Sequence, residues 1–400
     1  MFLLDSWPVS LDVWGVIYWD NNATTPLAPE VFEAMEPFLK ERFFNPSAGY
    51  GEARRVREAL EEARAGVALL LGASPAEIVF TSGGTEATNA VFLHMTACQP
   101  GKGVAVLATD HDASLKTALA LGGGPVCPVD GEGRADVQAW EQLCTSGVAG
   151  VSFGWANNET GVVQDASGLC AVARKHGLPV HVDAVQCAGK IPVRLHEMDV
   201  DYASVAAHKM HGPKGTGCLY RRAGTSFSPS LYGGGQEDGL RSGTENVAGI
   251  VGFGAAARLA LRHLEEDALY VERLRDRFEQ ALMQAVEGVR IHSGRAVRIP
   301  NTSNLGFDGC TAEALMLLLE PSGLLCSAGS ACHTLQPMPS HVLAAMGVPE
   351  AEVRSSLRFS LSFMTSEREV EQAVALVAGA VARVRSAQSF RTGPVLVYRP

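Results

Sequence analysis

From Pro29 to about Asp183 amphipathic helical stretches alternate with short apolar runs that stop at Gly, Asn or Asp. Each apolar run is too short for a core helix and carries no polar alternation, as expected of strands covered on both faces. The pattern therefore predicts βα units around a mainly parallel sheet. Helices are expected over 52–71, 85–96, 135–144 and 166–176, and strands over 77–81, 104–107, 148–154 and 180–182. Past Gly233-Gly234-Gly235 the texture changes to a Pro-free helical run over 244–286. It leads into a strand near 302–307 and helices over 311–319 and 366–386, the makings of an α+β unit.

A chain of 400 residues suits two unequal domains, since domains usually run to roughly 100–200 residues. The expected division is a large α/β domain over 18–262 and a small α+β domain built from 1–17 and 263–400. With 46% apolar and 19% charged residues the chain has ample core material. Its net charge of −10 offers no general attraction to nucleic acid or anionic lipid. The stretch Met1–Tyr18 has neither a basic n-region nor the length of a membrane span, so a cytoplasmic location is expected. Nine scattered cysteines fit neither a zinc ribbon nor a secreted disulfide framework; most read as small buried hydrophobes.

Several short motifs carry chemistry. Thr81-Ser82-Gly83-Gly84-Thr85-Glu86 follows a predicted strand and opens a helix, so its backbone N–H groups and the Thr85 hydroxyl form an anion site; by itself it serves equally as a tight capped turn. His181-Val182-Asp183-Ala184-Val185-Gln186 ends a strand in a carboxylate and an amide, at the sheet edge where open α/β folds bind ligands. Asp183 there is suited to hold a ring nitrogen protonated, or to cap a turn. In Ala207-His208-Lys209-Met210-His211-Gly212-Pro213-Lys214 a lysine amine can form an imine with an aldehyde; Lys214 reads as a solvated surface group. Tyr232-Gly233-Gly234-Gly235-Gln236 and Arg241-Ser242-Gly243-Thr244-Glu245 offer a second phosphate contact, a subunit edge or a flexible turn. Finally, Cys326-Ser327-Ala328-Gly329-Ser330-Ala331-Cys332-His333 is a run of small side chains that gives access to a thiol, with Cys326 the more structural of the two cysteines. Arg358 is able to clamp a carboxylate or to make a surface ion pair.

In this order, and together with Asp20-Asn21-Asn22-Ala23-Thr24-Thr25-Pro26, these segments resemble the cysteine desulfurases, class-V aminotransferase-fold enzymes that feed sulfur to iron–sulfur assembly and tRNA thiolation. The resemblance spans nearly the whole chain and implies pyridoxal-phosphate fold type I. It implies that Lys209 binds pyridoxal phosphate covalently, Asp183 pairs with the ring nitrogen, Gln186 meets the ring hydroxyl and His111 stacks on the ring. Gly84, Thr85 and His208 would hold the phosphate beside Ala206, with Thr244 reaching it from the other subunit of a homodimer. Asn158 and Arg358 would receive the carboxylate of L-cysteine, and Cys332 would take the sulfur as a persulfide, leaving alanine. No resident metal is implied, although Cys332 could ligate a cluster transiently with a scaffold. The seven residues between Cys332 and Ser340 resemble the long-loop branch that serves iron–sulfur scaffold proteins.

Three features depart from the family pattern. Ala206 stands where a serine is usual, Asn45-Pro46-Ser47-Ala48-Gly49-Tyr50-Gly51 is shortened, and His333-Thr334-Leu335-Gln336-Pro337-Met338 replaces a Ser-rich acidic loop. They leave two alternatives beside the desulfurase: a selenocysteine lyase or other β-lyase of the same fold, and a weakly catalytic partner or sulfur relay in an assembly complex.

Overall fold

The structure is a computed structural model and describes residues 15–329 and 339–389. In chain order the elements are β1 (Ile17–Tyr18), α1 (Pro29–Lys40), α2 (Gly51–Leu70), β2 (Ile78–Thr81), α3 (Gly84–Cys98), β3 (Val104–Leu107), α4 (Asp112–Ala120), β4 (Val126–Cys127), α5 (Val137–Thr145), β5 (Gly150–Gly154), α6 (Ala166–Lys175), β6 (Val180–Asp183), β7 (Tyr202–Ala206) and β8 (Gly217–Arg221). There follow α7 (Val247–Ala285), β9 (Val289–Ile291), β10 (Thr302–Phe307), α8 (Ala312–Leu319), β11 (Leu324–Leu325), α9 (His341–Ala345), α10 (Glu350–Val353), β12 (Ser356–Ser360) and α11 (Glu367–Ser389).

The central sheet has seven strands in the order β2-β8-β7-β6-β5-β3-β4. Its pairings are parallel from β4 through β7, and β8 runs antiparallel to both β7 and β2. The α/β fold with a mainly parallel sheet is therefore the one expected. Strands β2, β3 and β7 are buried along their whole length, which explains why β2 and β3 read as short apolar runs. One hydrophobic core lies under this sheet and takes Trp140, Phe153, Phe80 and Phe253; a smaller one covers the other face around Phe92, Met95 and Tyr202.

A separate core surrounds the antiparallel sheet β12-β10-β9. Trp19 sits at its centre, edge-on to Phe278 at 4.8 Å and to Phe359 at 6.3 Å between ring centroids. Helix α7 joins the two bodies, since Ile250, Phe253 and Leu259 belong to the first core while Val271, Leu274, Phe278 and Leu282 belong to the second. Trp19, placed by the sequence within the large domain, thus packs with the C-terminal half. Helix α7 is long and apolar enough to cross a membrane, and its apolar residues fill these two cores. It starts three residues later than the helical run begins, because the Asn246 side chain accepts the Gly249 N–H at 3.1 Å and caps it.

Candidate active site

The large cavity opens where the parallel strands end. It measures about 420 Å³ and is lined by residues from β5, β6, β7, the start of α3 and the segment after β1. Gly84, Thr85, His111, Asn158, Asp183, Gln186, Ala206, His208, Lys209 and Arg358 all line it. These residues span some 270 positions of sequence yet share one wall, because a parallel sheet delivers every strand's carboxyl end to the same edge. Thr244 is exposed and does not line this cavity. Cys332 lies outside the described residues.

Asp183 ends β6 and is half-buried, with Oδ1 accepting the Val185 N–H at 3.0 Å. Burial raises its pKa, while that N–H and the charges of His111 and Lys209 hold it down. Asp110 is a second carboxyl in the same wall, accepting N–H groups from Gly154 at 2.7 Å and Leu107 at 3.0 Å. Burial pushes it up to about 7, with the charge of Asp183 adding to the effect. His111 caps α4, its Nδ1 accepting the Ala113 N–H at 3.1 Å; Nε2 therefore carries the ring hydrogen of the neutral form.

Lys209 follows β7 on a short 3-10 turn over Ala207–Lys209. Its Nζ donates to the backbone carbonyls of Asn22 and of Ala23, the latter at 2.8 Å. The neighbouring His208 has Nδ1 3.1 Å from the Thr24 hydroxyl. Burial first, then the charges of Lys209, Lys214 and Lys190, hold His208 down at about 4, so it stays neutral at physiological pH. Lys214 is exposed and absent from the cavity wall, as expected.

At the opposite end Arg358 rises from β12 and is buried, 1% exposed. Its Nη2 donates to Asp20 at 2.5 Å and its Nη1 to the Asn158 carbonyl at 3.1 Å. Its Nε is buried and has no hydrogen-bond partner among the described residues. Backbone hydrogen bonds join Arg358 to Ser327 in both directions, at 2.7 and 3.1 Å. At the other end of the 330–338 stretch, the Ser340 hydroxyl donates to buried Glu159 at 2.5 Å, and His341 Nε2 is 3.0 Å from the Asp110 carbonyl. Both described flanks of the cysteine-bearing stretch are therefore tied to the walls of this cavity. Cys326, on the first flank, has its thiol pushed up to about 12 by burial and then by Asp20, which makes it a poor nucleophile.

Asn22, Asp20, Thr24, Asp110, Glu159 and Lys190 are site residues that the motifs did not single out. Asn22 is the hub. Its carbonyl accepts Lys209 Nζ and Gln186 Nε2, its Oδ1 accepts from Lys190 and Asn301, and its Nδ2 donates to the Asn158 carbonyl and the Thr302 hydroxyl. The Asp20–Pro26 segment signalled the resemblance, but its contacts reach as far as residue 360 and have no trace in local sequence.

Residues 17–373 match the aminotransferase class-V family. The chain belongs to that family. Among its relatives, a cysteine desulfurase of Cereibacter sphaeroides is 43% identical over 381 residues, 94% of this chain and 98% of that protein. The cysteine desulfurase NifS of Azotobacter vinelandii is 41% identical, over 94% of this chain and 95% of its own length. Among solved structures, a NifS-like protein superposes with a TM-score of 0.83 at 36% identity, covering 94% of this chain and all of that one. A NifS-like protein from Rickettsia africae gives 0.85 at 30% identity, covering 92% of this chain and 99% of that one.

Class-V enzymes of this kind are pyridoxal-phosphate dependent, with fold type I, and the cavity fits that group. A Cβ on Gly84 would lie 2.6 Å from a Val185 methyl, so glycine is what lets the start of α3 come close to the strand edge and expose its N–H groups. Asp183 offers a half-buried carboxylate that gains by pairing with a ring N–H, and Lys209 and His208 supply an amine and a neutral imidazole in the same wall. Ala206 also lines the cavity, so the hydroxyl that a serine would bring there is missing.

Proposed function

We propose that this class-V chain is a cysteine desulfurase that converts L-cysteine to L-alanine and keeps the sulfur as a persulfide on Cys332. The observation that carries the reading is the meeting of Lys209, Asp183 and Arg358 around one cavity of about 420 Å³. Pyridoxal phosphate held there supplies an aldehyde carbon for an amine and a ring that withdraws electrons from the substrate's α-carbon.

The residues divide the work by position. Gly84, Thr85 and His208 receive the phosphate, and Asp183 holds a proton on the ring nitrogen. Lys209, anchored to the Asn22 and Ala23 carbonyls, is placed to bond the aldehyde and then to move the α-proton as a general base. Arg358, which lines the cavity beside the Asn158 loop, receives the substrate carboxylate. Burial of Asp110 and Arg358 keeps water from competing for these contacts. The Cys332 thiolate takes the substrate sulfur as the carbon–sulfur bond breaks, and the electrons of that bond, with a proton, complete alanine.

Sulfur passes from Cys332 to an acceptor protein such as an iron–sulfur scaffold, in the cytoplasm, from a homodimer in which Thr244 completes the partner's phosphate site. The exposed side chains of Phe43, Tyr50 and Tyr232 support such a subunit contact. The decisive experiment is Cys332→Ala. Sulfide release from cysteine with dithiothreitol present is expected to collapse while the yellow cofactor colour stays; undiminished release would overturn the persulfide role.

A further inference from the structure

Gln186 can turn either end of its amide toward the cavity, and the choice is made by a residue that does not line it. Lys190 lines a smaller cavity of about 50 Å³ on the far side of Lys209. Its Nζ lies 2.5 Å from Gln186 Oε1 and 3.1 Å from Asn22 Oδ1. No ion pair joins it to a carboxylate among the described residues, so neutral amide oxygens are its partners. Burial, and then the charge of Lys209, lowers the Lys190 pKa to about 7; its protonated form, an ammonium, has three N–H donors and no acceptor. The oxygen of Gln186 must then face Lys190, and its NH₂ must face away.

On that side one N–H of Gln186 donates to the Asn22 carbonyl at 3.1 Å, the carbonyl that also accepts Lys209 Nζ. Gln186 borders the large cavity, where its second N–H is the group offered to a ligand. We propose that Lys190 is a positioning residue that fixes Gln186 as a hydrogen-bond donor toward the cavity, so that the ligand atom met there is an acceptor, an oxyanion on an aromatic ring. This rests on the reading that pyridoxal phosphate occupies the cavity and deepens it: Lys190 selects the deprotonated form of the ring oxygen. With Lys190 removed, the Asn22 carbonyl alone holds the NH₂ in place, and the turned-over amide, with oxygen against oxygen, gains population.

The test uses the full-length holoprotein with Lys190→Gln, Lys190→Arg, Gln186→Ala and the double variant Lys190→Gln/Gln186→Ala. Two quantities are read: retention of pyridoxal phosphate by equilibrium dialysis, and the share of bound cofactor absorbing in the short-wavelength, hydroxyl-protonated form. Lys190→Gln is expected to weaken retention about tenfold, the scale of one charge-assisted hydrogen bond, and to enlarge the short-wavelength share. Lys190→Arg, whose head group is also donor-only, restores both to within about twofold, well inside that single-bond scale. In the Gln186→Ala background Lys190→Gln changes neither appreciably. Wild-type values in Lys190→Gln, or an equal loss in both backgrounds, overturns the proposal.

Should Lys190→Gln fail to fold, Gln186→Glu gives the same decision. Its carboxylate pairs with Lys190 through one oxygen and shows only acceptors to the cavity, so an unaltered spectrum there refutes the role. Borohydride reduction of the wild type, with the pyridoxyl group mapped by mass, tests the underlying reading separately. Fixation at Lys209 combined with an unaffected Lys190→Gln variant sinks the Lys190 role alone.

Discussion

Ala206 shows how much a single hydroxyl can matter. It is buried at the end of β7 and lines the cavity near Gly84, yet its methyl group can accept or donate nothing. Ala206→Ser is expected to add one hydrogen bond to the phosphate, worth about 0.5–1.5 kcal/mol, or roughly two- to tenfold tighter retention of pyridoxal phosphate. Dialysis of the two holoproteins side by side checks this, and weaker retention in the serine variant would mean that β7 does not face the phosphate. Lys209 and Lys214 illustrate the limit of reading residues singly. Both are lysines after small residues, and only the fold separates an amine anchored to Asn22 and Ala23 from an exposed one. Asn22 is the harder case, because no property of an asparagine in Asp20-Asn21-Asn22 announces that residues 158, 190, 301 and 302 will converge on it.

At the scale of elements, α7 depends on close helix packing for its place across the two cores. A Cβ on Gly254 would stand 2.5 Å from the Ala63 Cα of α2, so Gly254→Ala must push the helices apart. A destabilisation of about 1–3 kcal/mol is expected, read as a lower thermal midpoint. The short helix α9 has a different dependency. Ser340 caps it by accepting the Leu343 N–H at 3.1 Å and also donates to buried Glu159. Ser340→Ala therefore removes a cap worth about 1 kcal/mol and leaves Glu159 without its hydroxyl donor. Sulfide release from cysteine should slow in this variant, while the cofactor spectrum stays as in the wild type; equal rates would uncouple Glu159 from the chemistry. The helical periods of α2, α3 and α6 were legible because their apolar faces repeat. Strands β7 and β8 were not, since Tyr202–Ala206 and Gly217–Arg221 are short and rich in small residues, and only their pairing gives them identity.

For the molecule as a whole, burial of histidines sets the acid limit. His181 sits between the Ser152 and Ser204 hydroxyls at 2.8 Å each, and burial lowers it to about 3. Burial likewise lowers His208 and His211 to about 4. A histidine whose folded pKa lies below its unfolded value gives stability that is present above about pH 6.5 and is lost as pH falls toward the folded pKa. Asp110, raised to about 7, works the other way: its contribution is present below the unfolded carboxyl pKa and fades as pH rises through about 7. Burial raises Asp183 and Asp267 as well and lowers His94 and His292, so five histidines oppose three carboxyls and the thermal midpoint should drop between about pH 6.5 and 4, each histidine adding up to about 1.4 kcal/mol per pH unit. His181→Asn should flatten that slope; an unchanged slope would remove His181 from the account.

The sequence by itself determined the alternation of strands and helices, the family, and ten of the residues that line the cavity, because side-chain chemistry and hydrophobic period are local properties. Lys209 is where both sources meet. Its candidacy came from Asp183, Gln186 and His208 nearby in the chain, but its anchoring to Asn22, the turn that Lys190 imposes on Gln186, and the ties of Ser327 and Ser340 to Arg358 and Glu159 belong to the tertiary structure alone. Apart from the Lys190–Gln186 contact, four positions apart, they join residues tens to hundreds of positions apart, and they form only because a parallel sheet brings its strand ends to one edge and a second core holds β12 and the segment after β1 against it.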